Sequence, residues 1–252
     1  MPRVSPKAMI EDGAKLADDV WIGPFAYVGP EADIRAGCVI EAGASVLGRT
    51  EIGARTRVFP LAVVGAAPDG RAGRCIVGEA NSLREHVTVY AGEGEPTRIG
   101  ADNLIMIGSA VGAGATVGDH AIFANCTHIG PGAAVEDYVR TSAFPLIAAG
   151  VRVGAYTFVN GYAHVARDVP PFAIVEGDPV RVRGVNAENL RRCGFGDRDI
   201  RALKDAFREL YNGAGAPPNA KAVDRLLERA DLNPHVLRAV EALRGSAGEP
   251  DA

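Results

Sequence analysis

Five histidines and four cysteines are the side chains of this chain best suited to acid–base, nucleophilic or metal chemistry. A neutral imidazole can take a proton from a hydroxyl near neutral pH, and a thiolate can attack a carbonyl. Spacing narrows these options. Cys38, Cys75, Cys126 and Cys193 lie far apart with no CxxC pair, and they read as free thiols of a reducing cytoplasm. No set drawn from His86, His120, His128, His164 and His235 has a zinc-binding spacing, so no metal and no other cofactor is expected. What remains is an imidazole acting as a base, and arginines such as Arg192, whose planar fork suits phosphate recognition. Which of these residues can meet depends on the elements that carry them.

Those elements announce themselves by a six-residue period. From Val4, every sixth residue is aliphatic: Ile10, Leu16, Ile22, Val28, Ile34, Ile40, Val46, Ile52, Val58 and Val64. Two residues before each stop stands a small or β-branched side chain, from Ala8 and Ala14 to Thr56 and Ala62. The register pauses at 65–76, resumes at Val77, Leu83 and Val89, pauses at 90–98, then runs from Ile99 to Val165 with Thr141 as its one polar stop. Such a period fits neither an α-helix nor a two-sided strand. It fits one short strand and one turn per hexad, three hexads closing a triangular coil of eighteen residues. Coils stack at about 4.8 Å, so aliphatic positions form inward ladders. The pauses predict loops pushed outward at 66–75 and 90–98, where a solenoid often binds its ligand.

After Val165 the pattern changes. DVPPFAIVEGDP (168–179) is extended, and helical signals follow. Asp197 is a candidate cap for a helix with Ile200, Leu203, Phe207 and Leu210 on one face. Val223, Leu226 and Leu227 mark a second helix, and Asn233-Pro234 opens a third. These helices are expected over the open end of the coil or a neighbouring subunit. The division is thus a β-helix over 1–183, a helical domain over 184–246 and a disordered tail over 247–252. The net charge of −4 argues against a nucleic-acid binder, and no segment is long and apolar enough to span a membrane.

The stretches IGPFAYVGP (22–30), DNLIMI (102–107), DVPPFAIVEGDP (168–179) and GVNAENLRRCGF (184–195) together resemble the UDP-N-acetylglucosamine O-acyltransferase family of lipid A biosynthesis. The resemblance covers nearly everything from Val4 to Tyr211. It implies an all-β left-handed parallel β-helix with a C-terminal α-helical domain, assembled as a cytoplasmic homotrimer with sites in the clefts between subunits. It implies acyl carrier protein and a nucleotide sugar as partners, and transfer of a 3-hydroxyacyl chain to a sugar hydroxyl with histidine as base. Asp69, Gly161, Asn186, Glu188 and Arg192 match family positions that bind substrate, Gly161 being the one that sets acyl-chain length.

The family pattern breaks at its imidazoles. Where the family reads N-A-H-I-A-H-D, this chain reads GSAVGAG (108–114), which puts Ala110, Ala113 and Gly114 at the first His, the base and its Asp. Two further family histidines fall on Gly132 and Ala148, and Cys193 stands where the family has a second Arg. Residues 110, 128, 146 and 164 share one vertical stack, so His128 lies one rung, about 4.8 Å, from Ala110. It is the candidate substitute base. Three readings follow: an acyltransferase with altered or lost catalysis, a non-catalytic trimeric binding or scaffold protein, and an acetyl-coenzyme A-dependent acetyltransferase, which the tail motif disfavours.

Overall fold

A computed structural model describes residues 1–67, 70, 73–211 and 218–245. The hexads form two- to five-residue strands that wind into a three-faced parallel solenoid. Face I holds eleven strands, face II nine and face III eight. Except for Arg181–Val185 at the end of face I, the strands pair in parallel from one coil to the next: Ala110 with His128, His128 with Leu146, Leu146 with His164. The vertical stack expected from the eighteen-residue coil is therefore the observed register.

The aliphatic stops point inward. Ile22, Ile40, Ile52, Leu83, Ile105 and Phe123 are all fully buried, with alanines of the second ladder packed beside them. At about 25 cal/mol per Å² of apolar area removed from water, each such side chain contributes roughly 1.5–3 kcal/mol. Polar intrusions into the ladder are satisfied. Thr141 shares a 2.7 Å hydroxyl contact with Thr127, and its Oγ1 accepts from the Ala124 N–H at 3.0 Å. Asn103 donates to the Gly118 carbonyl and accepts from the Ala121 N–H. These side chains replace hydrogen bonds that buried corner backbone would otherwise lack.

The two insertions leave the same edge. Residues 67–73 join Val63–Ala66 of face II to Arg74–Val77 of face III, and 91–96 join Thr88–Tyr90 to Thr97–Ile99 one coil later. Both therefore rise from the edge between faces II and III. The edge between faces III and I carries a different device. His120, Tyr138, Tyr156 and Phe172 stack there, with successive ring centroids 4.7, 4.8 and 5.8 Å apart.

Beyond the coil, Ala173–Glu176 runs antiparallel to Arg181–Val185, and four helices follow. They are α1 (Ala187–Arg192), α2 (Asp197–Leu210), α3 (Ala220–Leu227) and α4 (Pro234–Gly245). The helices fold back along the aromatic edge rather than only over the open end. Asn189 donates to the Tyr138 carbonyl at 3.2 Å, Phe195 and His235 pack on the aromatic stack, and Arg238 pairs with Glu136 at 2.9 Å. The cap of α2 is Gly196, with Asp197 as its first helical residue. Asp197 and Asp199 thus act on the positive end of the helix, not as hydrogen-bonding caps. Asn233 caps α4 as expected, accepting from the His235 and Val236 N–H groups. The expected tail 247–252 lies outside the described residues.

Candidate functional site

The four positions where the family carries imidazoles gather on one strip. Ala110 lies on the outer side of face II, Ala113 in the turn to face III, Gly132 in the same turn one coil on, and Ala148 just past the face II strand Leu146–Ile147. The loop 91–96 leaves this edge one rung below Ala113, and Ala66 and Arg74 flank the other insertion two rungs below. No side chain at these four positions can titrate. Part of the turn backbone is already engaged: the Gly132 N–H donates to the Ala113 carbonyl at 2.9 Å, and the Gly114 N–H to Thr97 Oγ1 at 2.8 Å. Pro131, directly above Ala113 in the coil, has no N–H to offer a developing oxyanion.

His128 is the imidazole nearest this strip. It is exposed on face II, register-paired with Ala110, and its ring forms no hydrogen bond or ion pair among the described residues. It therefore takes the place of the outer-face imidazole at 110, not of the corner imidazole at 113. Three residues of extended chain, about 10 Å, separate the start of its strand from the corner.

The histidine to which the fold supplies a carboxylate on this face is His164, two rungs above His128. Its Nδ1 lies 3.5 Å from Asp178 Oδ1. Sequence reasoning treated His164 as structural, because nothing in the repeat places the turn at 177–180 over face II. The backbone does so, through the His164 N–H donating to the Gly177 carbonyl.

The remaining expected residues sit elsewhere. Gly161 is on the edge between faces I and II, where an added Cβ would come within 3.0 Å of the Ala143 carbonyl oxygen. Asn186 is buried and caps α1: its Oδ1 accepts from the Asn189 N–H and its Nδ2 donates to the Tyr156 carbonyl at 2.8 Å. Burial also pushes the Tyr156 hydroxyl above its ordinary range at this junction. Glu188 and Arg192 face solvent and pair with each other at 3.1 Å. Within one chain the α1 residues occupy the aromatic edge, across the prism from His128 and Ala113. Asp69 lies outside the described residues. Among the described residues no cluster of histidine, cysteine, aspartate and glutamate could hold a metal.

The comparisons with known proteins cover almost the whole chain. An acyl-[acyl-carrier-protein]–UDP-N-acetylglucosamine O-acyltransferase of Stutzerimonas stutzeri is 32% identical over 254 aligned residues, covering 98% of both chains. The chain belongs to the UDP-N-acetylglucosamine O-acyltransferase family. The family model for the second domain of UDP N-acetylglucosamine O-acyltransferase matches residues 168–248, and the bacterial transferase hexapeptide model matches 13–48 and 96–131. Among solved structures, the UDP-N-acetylglucosamine acyltransferase from Campylobacter jejuni is similar with a TM-score of 0.85, 29% identity and 95% coverage of each chain. LpxA from Acinetobacter baumannii is similar with a TM-score of 0.86, 27% identity, and coverage of 96% of this chain and 97% of that one. The acyltransferase scaffold is thus retained from end to end.

Proposed function

We propose that this protein is a cytoplasmic, homotrimeric, left-handed β-helical acyltransferase that binds acyl carrier protein and a nucleotide-sugar acceptor between subunits, with His128 as a substitute base. The observation that carries this reading is His128 itself, an unpartnered imidazole one rung from Ala110 on the face bordering the family strip.

The assembly has its own support in the outer surface. Face III displays Lys15, Asp33, Glu51, Arg98 and Arg152, as a solvated wall should. The edge between faces I and II instead exposes Phe25, Leu61, Ile107, Phe144 and Tyr162 in a vertical line. A line of large apolar groups along an otherwise polar prism marks a protein–protein contact. With the third edge covered by α1 and α4, this edge is the one free to face a threefold axis.

In the cleft so formed, His128 takes the proton of the acceptor hydroxyl as its oxygen attacks the carrier thioester carbonyl. The C–O bond forms, the C–S bond breaks, and the proton passes on to the departing thiolate of the carrier. An amine acceptor arriving unprotonated would need this base less. Asp69, Gly161, Asn186, Glu188 and Arg192 are proposed substrate-binding positions, the α1 residues acting in a neighbour's cleft.

The test is turnover of purified protein with 3-hydroxyacyl carrier protein and UDP-N-acetylglucosamine, beside His128→Ala. A fall of about 10²-fold or more in kcat is expected for the variant. Equal turnover in both would exclude His128 as base. Tight nucleotide-sugar binding with no turnover in either would favour the second reading, a trimeric binding protein, which the absence of a titratable side chain at Ala113 also favours.

A further inference from the structure

Among the described residues, two buried side-chain atoms have no hydrogen-bond partner: Arg140 Nε and Asn125 Oδ1. Buried polar atoms are nearly always satisfied, and an N–H of a charged group left without an acceptor is the costlier exception. Arg140 stands on the outer side of face I, between Ile122 one coil below and Phe158 one coil above. It makes no ion pair among the described residues, whereas the outward arginines Arg57, Arg74 and Arg152 each have a carboxylate. Asn125 lies one coil lower, in the turn to face II.

Height along the prism fixes what Arg140 could meet. Its strand, Arg140–Thr141, belongs to the same coil as Leu146–Ile147 of face II, with His128 one rung below and His164 one rung above. When the apolar edge between faces I and II turns toward a threefold axis, face I of one subunit confronts face II of the next at equal height. Arg140 then points across the cleft at the His128–Leu146–His164 column of its neighbour.

We propose that Arg140 is an anion-binding residue that each subunit lends to its neighbour's cleft, where it takes a substrate phosphate opposite His128. This rests on the trimeric reading above. The guanidinium offers parallel donors to phosphate oxygens, and the apolar flanks at Ile122 and Phe158 strengthen that attraction by excluding water. Two phosphates could fill the place, the diphosphate of a nucleotide sugar or the phosphodiester arm of acyl carrier protein.

Free UDP and free 4′-phosphopantetheine separate them. Each is titrated into wild type, Arg140→Gln and Arg140→Lys, with subunit mass read by light scattering. The expected result is a trimeric, normally melting Arg140→Gln that binds one of the two probes at least tenfold more weakly, with Arg140→Lys between it and wild type. The probe that weakens identifies the phosphate. Unchanged affinity for both probes in a trimeric Arg140→Gln overturns the proposal alone. Dissociation of Arg140→Gln into monomers with Arg140→Lys still trimeric also overturns it, since the partner is then a group of the adjoining chain. A monomeric wild type overturns the assembly reading and this inference with it.

Discussion

Restoring an imidazole at Ala113 tests directly whether this corner is where the reaction needs a base. The site tolerates the change: Ala113 is half-buried with an ordinary backbone, and its carbonyl bond to Gly132 involves no side chain. His128, the proposed base, acts from face II, one rung and three residues away or about 11 Å in all, so an imidazole at the corner adds a second base rather than replacing it. A well-placed general base gives roughly 10²–10⁴ in rate, or about 3–5.5 kcal/mol of barrier. The corner nevertheless lacks a donor at Pro131, and one missing oxyanion donor costs about 10²–10³. The expectation for Ala113→His is therefore the low end, about a 10²-fold rise in kcat at saturating acyl carrier substrate and UDP-N-acetylglucosamine. Adding Gly114→Asp should help less than the family pattern suggests. Gly114 has φ +69°, a conformation that costs a side-chain-bearing residue roughly 1 kcal/mol. A kcat within about twofold of wild type, with trimer mass and melting temperature unchanged, would refute the reasoning, because the expected gain is far larger.

Two further predictions concern the scaffold. Asn103→Ala strands the Gly118 carbonyl and the Ala121 N–H, both bonded to that side chain. At about 1–3 kcal/mol per unsatisfied buried group, urea unfolding should show a loss of roughly 2–5 kcal/mol, and a loss below about 1 would mean the coil relaxes to satisfy them. Burial pushes the Cys75 thiol up to about 12. Timed alkylation at pH 8 read by intact mass should modify Cys126 and Cys193, which are only partly buried, before Cys75 and Cys38. The sign for stability follows from the same shift. The folded thiol titrates above its ordinary 9.0, so its contribution is whole below that pH and fades as pH climbs toward about 12. Early labelling of Cys75 in native buffer would show that the core opens locally.

The coil was legible because its period is enforced at every rung: an inward position that is not small or aliphatic breaks a ladder, so the sequence repeats its own constraint. That register also puts Ala110, His128, Leu146 and His164 in one vertical stack, which the strand pairing reproduces. Arg140 obeys the same ruler, with Ile122 and Phe158 eighteen residues to either side, but only the structure shows that its Nε lacks a partner. What could not be read is whatever departs from the coil. Contacts such as Asn189 with Tyr138 and Arg238 with Glu136 bridge 51 and 102 residues and obey no period. The carboxylate beside His164 escaped notice for this reason, since Asp178 comes from a turn beyond the repeat. Asp197 was misjudged more locally. Helix caps shift by a residue without altering the apolar face that reveals the helix.

A β-helix can change its outward chemistry without losing its fold because of where it keeps its energy. Inward positions hold the ladders, and a single large-to-small change there costs about 2–5 kcal/mol. Outward and corner positions carry almost none of that energy. Ala110, Ala113, Gly132 and Ala148 are all of this second kind, as is His128, exposed beside the fully buried ladder residue Ile147 of the next coil. Exchanging an outward imidazole for a methyl group, or the reverse, therefore leaves the core untouched, and the scaffold can outlast one chemistry and accept another. Arg140 runs counter to this freedom. Its Nε–H is buried without an acceptor between Ile122 and Phe158, a cost that an aliphatic residue would not carry. The phosphate contact proposed for the assembled cleft would offset that cost.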